Sequence, residues 1–129
     1  MIQARQVPKS LPLLEMTEPV CCEPIAAGVI DAEAALEIAL RLKALADPIR
    51  VQLMSLLIAE RAAGVCTCDL APAVGVSEAT ISHHIKQLRD AGLVEGTKKG
   101  TNTFYRPVLD NLGALCRVID PACLDADCC

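Results

Sequence analysis

The sequence predicts a mainly α-helical protein with one small β-hairpin, and three observations support this fold class. Apolar residues make up 53 % of the 129 residues, whereas aromatic residues make up only 2 %. A core of Ala, Leu, Ile and Val favours packed helices over a β-sandwich. Apolar residues recur at helical spacing between residues 31 and 119, and two short extended runs flank a glycine near residue 100. This length has room for one small domain.

A first helix is expected from Asp31 to Ala46. Asp31 suits the N-cap, and Glu33 lies near the positive end of the helix dipole. The apolar residues form two neighbouring stripes, Ala35, Ile38, Leu42 and Leu45 in one and Leu36, Ala39 and Leu40 in the other. Because a helix that is apolar over more than one face is usually covered on both sides, we expect the second stripe to meet a dimer partner.

Proline and glycine mark the boundaries of the next two helices. A second helix begins at Asp47-Pro48, since proline is accepted in the first turn, and ends near Gly64. A short third helix covers about residues 68–74, and Gly75 suits its C-cap. The core-facing residues of the second helix are Ile49, Leu53, Leu56 and Leu57.

Ser77 suits the N-cap of a fourth helix, which extends to Ala91 and ends at Gly92. Extended runs at 94–97 and 103–107 then flank Lys98-Lys99-Gly100-Thr101-Asn102, which predicts a hairpin with a basic tip. A last helix covers about 108–119. Two short helices followed by a basic hairpin are typical of a winged helix-turn-helix.

The chain is expected to have three parts. Residues 1–30 carry four prolines and form an extended N-terminal arm that contains Cys21-Cys22. Residues 31–119 form the winged helix-turn-helix domain for DNA binding and dimerisation. Residues 120–129 form an acidic tail with Cys123, Cys128 and Cys129.

The fourth helix has an apolar face and a polar face when it is projected at about 100° per residue. Ile81, Ile85 and Leu88 should face the core, and His84 projects near them and is expected to be packed and hydrogen-bonded. The opposite side is either a solvated surface or a major-groove reader, since its side chains suit base edges and phosphates. The predicted DNA-binding residues are Ser77, Thr80, Ser82, His83, Lys86 and Gln87, with Lys98 and Lys99 on the hairpin.

The distribution of charge favours DNA binding. The chain has 12 basic and 16 acidic residues, so its net charge of −4 excludes a uniformly basic surface. Residues 77–106 nevertheless hold five basic and three acidic residues. Since one recognition helix covers only about half of an operator, a symmetric homodimer on double-stranded operator DNA is expected.

The eight cysteines occur mostly as adjacent or next-neighbour pairs. No run of about 18 uncharged apolar residues is present, and the N-terminus has no basic-then-apolar signal pattern. We therefore expect a cytoplasmic protein with no membrane span. In a reducing cytosol, clustered thiols bind a soft metal or metalloid or sense redox state.

Several motifs resemble the ArsR/SmtB family of metal-sensing repressors, across about residues 31–119. The motifs are Lys43-Ala44-Leu45-Ala46-Asp47-Pro48-Ile49-Arg50, Cys66-Thr67-Cys68-Asp69-Leu70, Ser82-His83-His84 and Arg89-Asp90-Ala91-Gly92-Leu93-Val94. The resemblance implies a homodimeric repressor that leaves its operator when a toxic metal or metalloid binds. It also implies a dimer interface of the first and last helices. The chain has Glu78 and Ala79 where the family often has Gln and Ser, so neither is assigned to base reading.

The cysteines and the resemblance together predict As(III) or Sb(III) as the inducer. Similar Cys-x-Cys-Asp-Leu segments carry the inducer site in arsenite sensors, and Cys21-Cys22 resembles a second variant on the arm. At the N-terminus of the third helix, Cys66 and Cys68 favour the thiolate form. The predicted site contains Cys21 and Cys22 with Cys66 or Cys68. A second possible site contains Cys123, Cys128 and Cys129.

Other functions remain open from the sequence. Cd or Pb also suits thiolates, and the same fold could respond to oxidation through disulfides. A protein of another class, a thiol-rich metalloid carrier, would need no DNA. An enzyme is not expected, because no nucleophile–base pair, phosphate loop or acid pair is evident. Zinc on the last helix is disfavoured, since that helix has Asp110 but no His, and Cys116 is expected to be a small core residue.

Overall fold

The computed structural model describes residues 18–20 and 24–122 of the chain. Within these ranges the protein has five α-helices, preceded by a single 3-10 turn at Ile25–Ala27, and a small antiparallel sheet. The mainly α-helical winged helix-turn-helix expected from the sequence is confirmed. The elements are α1 (Ala32–Leu45), α2 (Pro48–Ala59), β1 (Val65–Cys66), α3 (Thr67–Val74), α4 (Glu78–Asp90), β2 (Val94–Lys99), β3 (Asn102–Pro107) and α5 (Leu109–Ile119).

Three helices begin where the sequence predicted, and each has a side chain as its N-cap. The carboxylate of Asp31 accepts a hydrogen bond from the Ala34 N–H of α1 at 2.8 Å. Asp47 accepts from the first turn of α2 at 2.9 and 3.3 Å, and Ser77 accepts from the Thr80 N–H of α4 at 3.2 Å. Each side chain satisfies N–H groups that have no partner within the helix, so it fixes where the helix starts.

The helix that follows Pro48 is shorter than expected, because α2 ends at Ala59 and not near Gly64. Residues 60–63 form a turn, and the Gly64 N–H donates to the Glu60 carbonyl at 3.0 Å. Gly64 has a φ of 77°, and a Cβ on it would lie 3.2 Å from the Tyr105 carbonyl oxygen. This glycine therefore brings the chain close against β3, where β1 begins.

A third strand, β1, joins the predicted hairpin and was not expected from the sequence. The strand order is β1-β3-β2, and both pairings are antiparallel. Val65 pairs with Tyr105 and Cys66 with Phe104. Two residues are too few to show an alternating pattern, so only the pairing with β3 identifies this strand. The hairpin strands are also longer than predicted and leave only Gly100-Thr101 at the tip.

The main core lies between α2, α3, α4 and the start of β2. Ile81, Ile85 and Leu88 on α4 are at most 1 % exposed, which confirms the predicted inner face of that helix. They pack in one cluster with Leu53 and Leu57 of α2, among others. The polar face of α4 is thereby held outward.

A second apolar cluster joins α1, α5 and the N-terminal segment. Val20 is buried with Ile38 of α1 and with Ala114, Leu115 and Val118 of α5. The buried Arg41 of α1 donates to the Glu18 carbonyl at 3.4 Å and also contacts the Glu37 side chain. Pro24 is buried as well. Val20 thus packs on the same pair of helices, and the 3-10 turn that follows Pro24 contacts α5.

The outer surface of α1 stays partly uncovered within the protomer. Ala35 and Ala39 are exposed, and Leu36 and Leu40 are half-buried. None of the helices in residues 18–20 and 24–122 is long and apolar enough to span a membrane.

Candidate nucleic-acid interface and metal centre

The polar face of α4 presents most of the predicted DNA-binding residues to solvent. Ser77, Ser82, His83, Lys86 and Gln87 are exposed, and Thr80 is half-buried. The Ser77 and Thr80 hydroxyls lie 2.9 Å apart, so Thr80 also takes part in the cap of α4. Lys86 pairs with Asp90 at 2.9 Å, and both side chains are more than half exposed. Such an exposed ion pair contributes little, so a phosphate can replace the carboxylate.

His84 faces the other way, as the sequence predicted. Its side chain is 12 % exposed, and its Nδ1 lies 3.1 Å from a guanidinium nitrogen of Arg50. Arg50 also donates to the carbonyls of Lys43 and Ala44, which end α1. Arg50 therefore ties α4 to the junction between α1 and α2. Sequence reasoning missed this residue, and its signal was an arginine in the first turn after a helix break.

Asp47 completes this junction beside His84. Its carboxylate lies 4.0 Å from His84 Nδ1. Burial by itself would raise the pKa of Asp47, but hydrogen bonds from the Ile49 and Arg50 N–H groups and the positive charges of His84 and Arg50 outweigh it. The net effect lowers the pKa of Asp47, so the carboxylate stays ionised while it caps α2.

The β2–β3 hairpin is the wing of the fold, and it carries the two predicted lysines, both exposed, near its tip. The Lys99 Nζ lies 5.6 Å from the centroid of the Phe104 ring on the neighbouring strand. This is cation–π distance, so the ring holds the ammonium over one face of the hairpin. Because side chains alternate along a strand, Lys98 belongs to the opposite face.

Cys66 and Cys68 meet where β1 passes into α3. Cys66 is the N-cap of α3, and Cys68 is the second residue of the helix. Their Cα atoms lie 5.2 Å apart, and the two sulfur atoms form a disulfide. In a regular helix this spacing would place the two sulfurs about 200° apart around the axis. They converge because Cys66 still has an extended backbone.

The carboxylate of Asp69 lies close to the two sulfur atoms. Asp69 Oδ2 lies 3.4 Å from Cys66 Sγ, and one ligand atom from each of Cys66, Cys68 and Asp69 lies within 4.8 Å of the others. Cys66 is buried, whereas Cys68 and Asp69 are exposed. After reduction this group offers two thiolates and an oxygen at a helix N-terminus, which favours anionic sulfur. The donor set fits a soft, sulfur-seeking ion.

The other predicted ligands are distributed differently. Cys21 and Cys22 of the arm and Cys123, Cys128 and Cys129 of the tail lie outside the described residues. Cys116 is exposed on α5, so its prediction as a core residue was wrong. The buried side of α5 contains Ala114, Leu115 and Val118, and Cys116 lies on the other side of the helix.

Residues 47–96 match the model of the arsR family of bacterial regulatory proteins. A putative arsenical resistance operon repressor of Halobacterium salinarum is 37 % identical over 87 residues, which are 67 % of this chain and 71 % of the relative. The chain spans between 48 % and 85 % of the length of several curated relatives that it matches.

Two solved structures share the fold. A homodimeric winged helix-turn-helix DNA-binding domain of Mycobacterium bovis is 33 % identical with a TM-score of 0.56, over 71 % of this chain and 85 % of that one. An antimony-specific transcriptional repressor is 31 % identical with a TM-score of 0.57, over 68 % and 78 %. With its outward recognition helix, its basic wing and these relatives, the chain belongs to the arsR family of bacterial regulatory proteins and is a DNA-binding transcriptional repressor.

Proposed function

We propose that this repressor binds operator DNA as a homodimer and is released when As(III) or Sb(III) binds its cysteine thiolates. The observation that carries the proposal is the convergence of Cys66 and Cys68 at the N-terminus of α3. The helix α3 packs against the recognition helix α4 within the main core. An ion bound at this point therefore acts on the element that supports the DNA-reading face.

The ligand chemistry supports a metalloid. As(III) takes three sulfur ligands in a pyramid, and soft thiolates select ions of this kind over oxygen-seeking ones. Cys66 and Cys68 would provide two of these ligands, and Asp69 is a weaker oxygen donor beside them. The names of an arsenical resistance repressor and an antimony-specific repressor among the relatives support the same inducers.

The third thiolate in this proposal comes from Cys21 or Cys22. These residues follow Val20 and precede Pro24, and both flanking residues are buried. Val20 packs on α1 and α5, and the 3-10 turn after Pro24 contacts α5. In the proposed dimer, α1 and α5 form the interface, so the arms of both protomers would begin close to it. The third thiol of each site could therefore come from the same protomer or from its partner. Cys123, Cys128 and Cys129 remain a proposed second site.

The exposed face of α4 and the wing supply the proposed DNA contacts. His83, Lys86 and Gln87 lie on the side of α4 away from the core, and Lys98 and Lys99 extend the polar surface. Two copies related by a two-fold axis would place two such helices on successive major grooves. The partly uncovered stripe of α1 supports this pairing.

The proposal is tested by fluorescence anisotropy of reduced protein on labelled DNA from the promoter region of its own gene. We expect binding that is reversed by micromolar arsenite or antimonite, while zinc at the same concentration has little effect. Operator binding that ignores arsenite, antimonite and cadmium would contradict the metalloid response and leave the DNA-binding function. Release by cadmium alone would identify a cadmium sensor.

A second candidate function is a thiol-redox repressor, and the Cys66–Cys68 disulfide favours it. In this alternative, oxidation of the two thiols would itself change operator affinity. Release by hydrogen peroxide without any metalloid, reversed by a reductant, would support the redox function over the metalloid response.

A further inference from the structure

We infer that Phe104 is the positioning residue that connects the Cys66–Cys68 site to Lys99 on the wing. The inference rests on the proposed function, because it concerns how the inducer would reach the DNA contacts. It gives β1, the strand that the sequence did not predict, a specific role. Phe104 itself would contact neither the metalloid nor the DNA.

One row of residues crosses the sheet from the thiol site to the wing. Cys66 of β1 pairs with Phe104 of β3, and Phe104 pairs with Thr97 of β2. Residues directly opposite each other in an antiparallel pair have their side chains on the same face. Cys66, Phe104 and Thr97 therefore share a face of the sheet.

Lys99 belongs to that same face, because it follows Thr97 by two residues along β2. Its ammonium lies 5.6 Å from the centroid of the Phe104 ring, while the ring itself is half-buried. The ring thus has the thiol site on one side and a predicted phosphate contact on the other. Lys98, one residue away, is on the opposite face and has no part in this row.

Because β1 packs closely against β3, a movement of Cys66 would also move the other residues of this row. Cys66 is only 4 % exposed, and Gly64 just before β1 lies so close to β3 that an added Cβ would be 3.3 Å from the Phe104 Cβ. An ion held between the two sulfurs needs a different sulfur separation from a disulfide or a thiol pair. Because the Cys66 side chain is enclosed, a shift of β1 is passed to its partner Phe104 and so to Lys99.

The test is a double-mutant cycle on operator binding, with and without arsenite. In Phe104→Leu we expect the operator Kd without inducer to rise about two- to fivefold for each wing, the value of an exposed cation–π contact. The arsenite factor, which is the ratio of the operator Kd with arsenite to the Kd without it, should fall by a similar factor. Arsenite binding itself, measured by the absorbance of the thiolate–metalloid bonds, should be unchanged.

Lys99→Ala is the second variant, and it changes an exposed side chain and leaves the packing of the half-buried Phe104 ring in place. It should lower the arsenite factor as Phe104→Leu does, and adding Phe104→Leu to it should have no further effect. Lys98→Ala is the matched control, because it removes the same charge from the other face. Its effect should multiply with that of Phe104→Leu and leave the arsenite factor at the wild-type value.

The possible results separate this inference from the proposed function. If arsenite does not release the wild-type protein, the proposed function fails and this inference fails with it. If arsenite releases the wild type, and both Phe104→Leu and Lys99→Ala keep the full arsenite factor while thermal unfolding shows them folded, only the role of Phe104 is wrong. Equal loss of the factor in Lys98→Ala would also overturn it.

Discussion

At the scale of single residues, the two cysteines of the thiol site differ in exposure, and this difference sets the order of their reactions. Cys68 is exposed, whereas Cys66 is 4 % exposed. An oxidant or a metalloid therefore meets Cys68 first, and Cys66 then completes the bond from its buried position. The disulfide and the metalloid-bound form use the same sulfur electron pairs, so they exclude each other.

A redox prediction follows from this exclusion. Hydrogen peroxide would take two electrons from the pair, with two thiols and one peroxide giving one disulfide and two waters. We expect the oxidised repressor to bind the operator but to ignore arsenite, and a reductant to restore release. The readout is operator anisotropy before and after reduction. Cys116→Ser should behave as the wild type, and loss of the oxidant effect in this control would instead identify the exposed Cys116 as its origin.

The two adjacent histidines should respond differently to truncation. His83 is exposed on the proposed DNA-binding face of α4, so His83→Ala should weaken operator binding by about 1–3 kcal/mol if it contacts a base edge. His84 contacts Arg50, so His84→Ala should lower the free energy of unfolding by about 1 kcal/mol. Anisotropy and denaturant unfolding separate these effects. A large loss of stability in His83→Ala would contradict its outward placement.

Helical projection assigned the two histidines to opposite sides, because the 3.6-residue period fixes direction once a core face is known. Cys116 was predicted to be a core residue only because free cysteines are often buried, and this general tendency gave the wrong result on the exposed side of α5. Arg50 could not be assigned either, because its partners are the carbonyls that end α1 and a histidine 34 residues away. Contacts of this kind depend on tertiary structure and leave no local pattern.

At the scale of secondary structure elements, side-chain caps determine most of the helix starts. Asp31, Asp47 and Ser77 each accept N–H hydrogen bonds from the first turn. These starts were predictable because a cap is a local interaction between near neighbours in sequence. The strand β1 was not predictable, because it is defined by a partner almost 40 residues away.

The cap of α2 gives a pH prediction. Asp47→Ala should lower the free energy of unfolding at pH 7, because the N–H groups of Ile49 and Arg50 lose their acceptor. Asp47→Asn keeps a capping group, so it isolates the effect of the charge. Because folding lowers the pKa of Asp47, its stabilisation is complete above the ordinary carboxyl pKa and is lost as the pH falls through the lowered value.

Denaturant unfolding of the wild type and both variants between pH 7 and pH 2 measures this effect. The difference between wild type and Asp47→Asn should shrink toward zero in the most acidic solutions. A difference that stays constant across the range would show that the charge of Asp47 contributes nothing to stability.

At the scale of the whole molecule, charge and apolar surface are separated. The net charge is −4, yet the segment with α4 and the wing is basic, and the partly uncovered apolar stripe is on α1. This separation predicts a dimer through α1 and α5 with DNA on the opposite side. The sequence alone predicted this separation, because the basic surface and the apolar stripe belong to different helices.

The dimer is tested by charging the apolar stripe. Ala39 is exposed on α1, so Ala39→Arg should leave the protomer folded but produce a monomer in sedimentation. Operator affinity should fall strongly, since each half-site would be bound alone. Val51→Arg is the control, because Val51 is an exposed apolar residue of α2 outside that stripe. A dimeric Ala39→Arg variant would contradict this interface.

The central claim is that an ion held by Cys66 and Cys68 weakens operator binding. The most direct measurement is operator anisotropy of reduced protein with rising arsenite, for the wild type and for a Cys66→Ser/Cys68→Ser double variant. Both proteins should bind the operator alike without arsenite. Arsenite should release the wild type, with the operator Kd rising about 5- to 150-fold as is typical of such coupling, and leave the double variant bound. Release of the double variant at the wild-type arsenite concentration would contradict the claim.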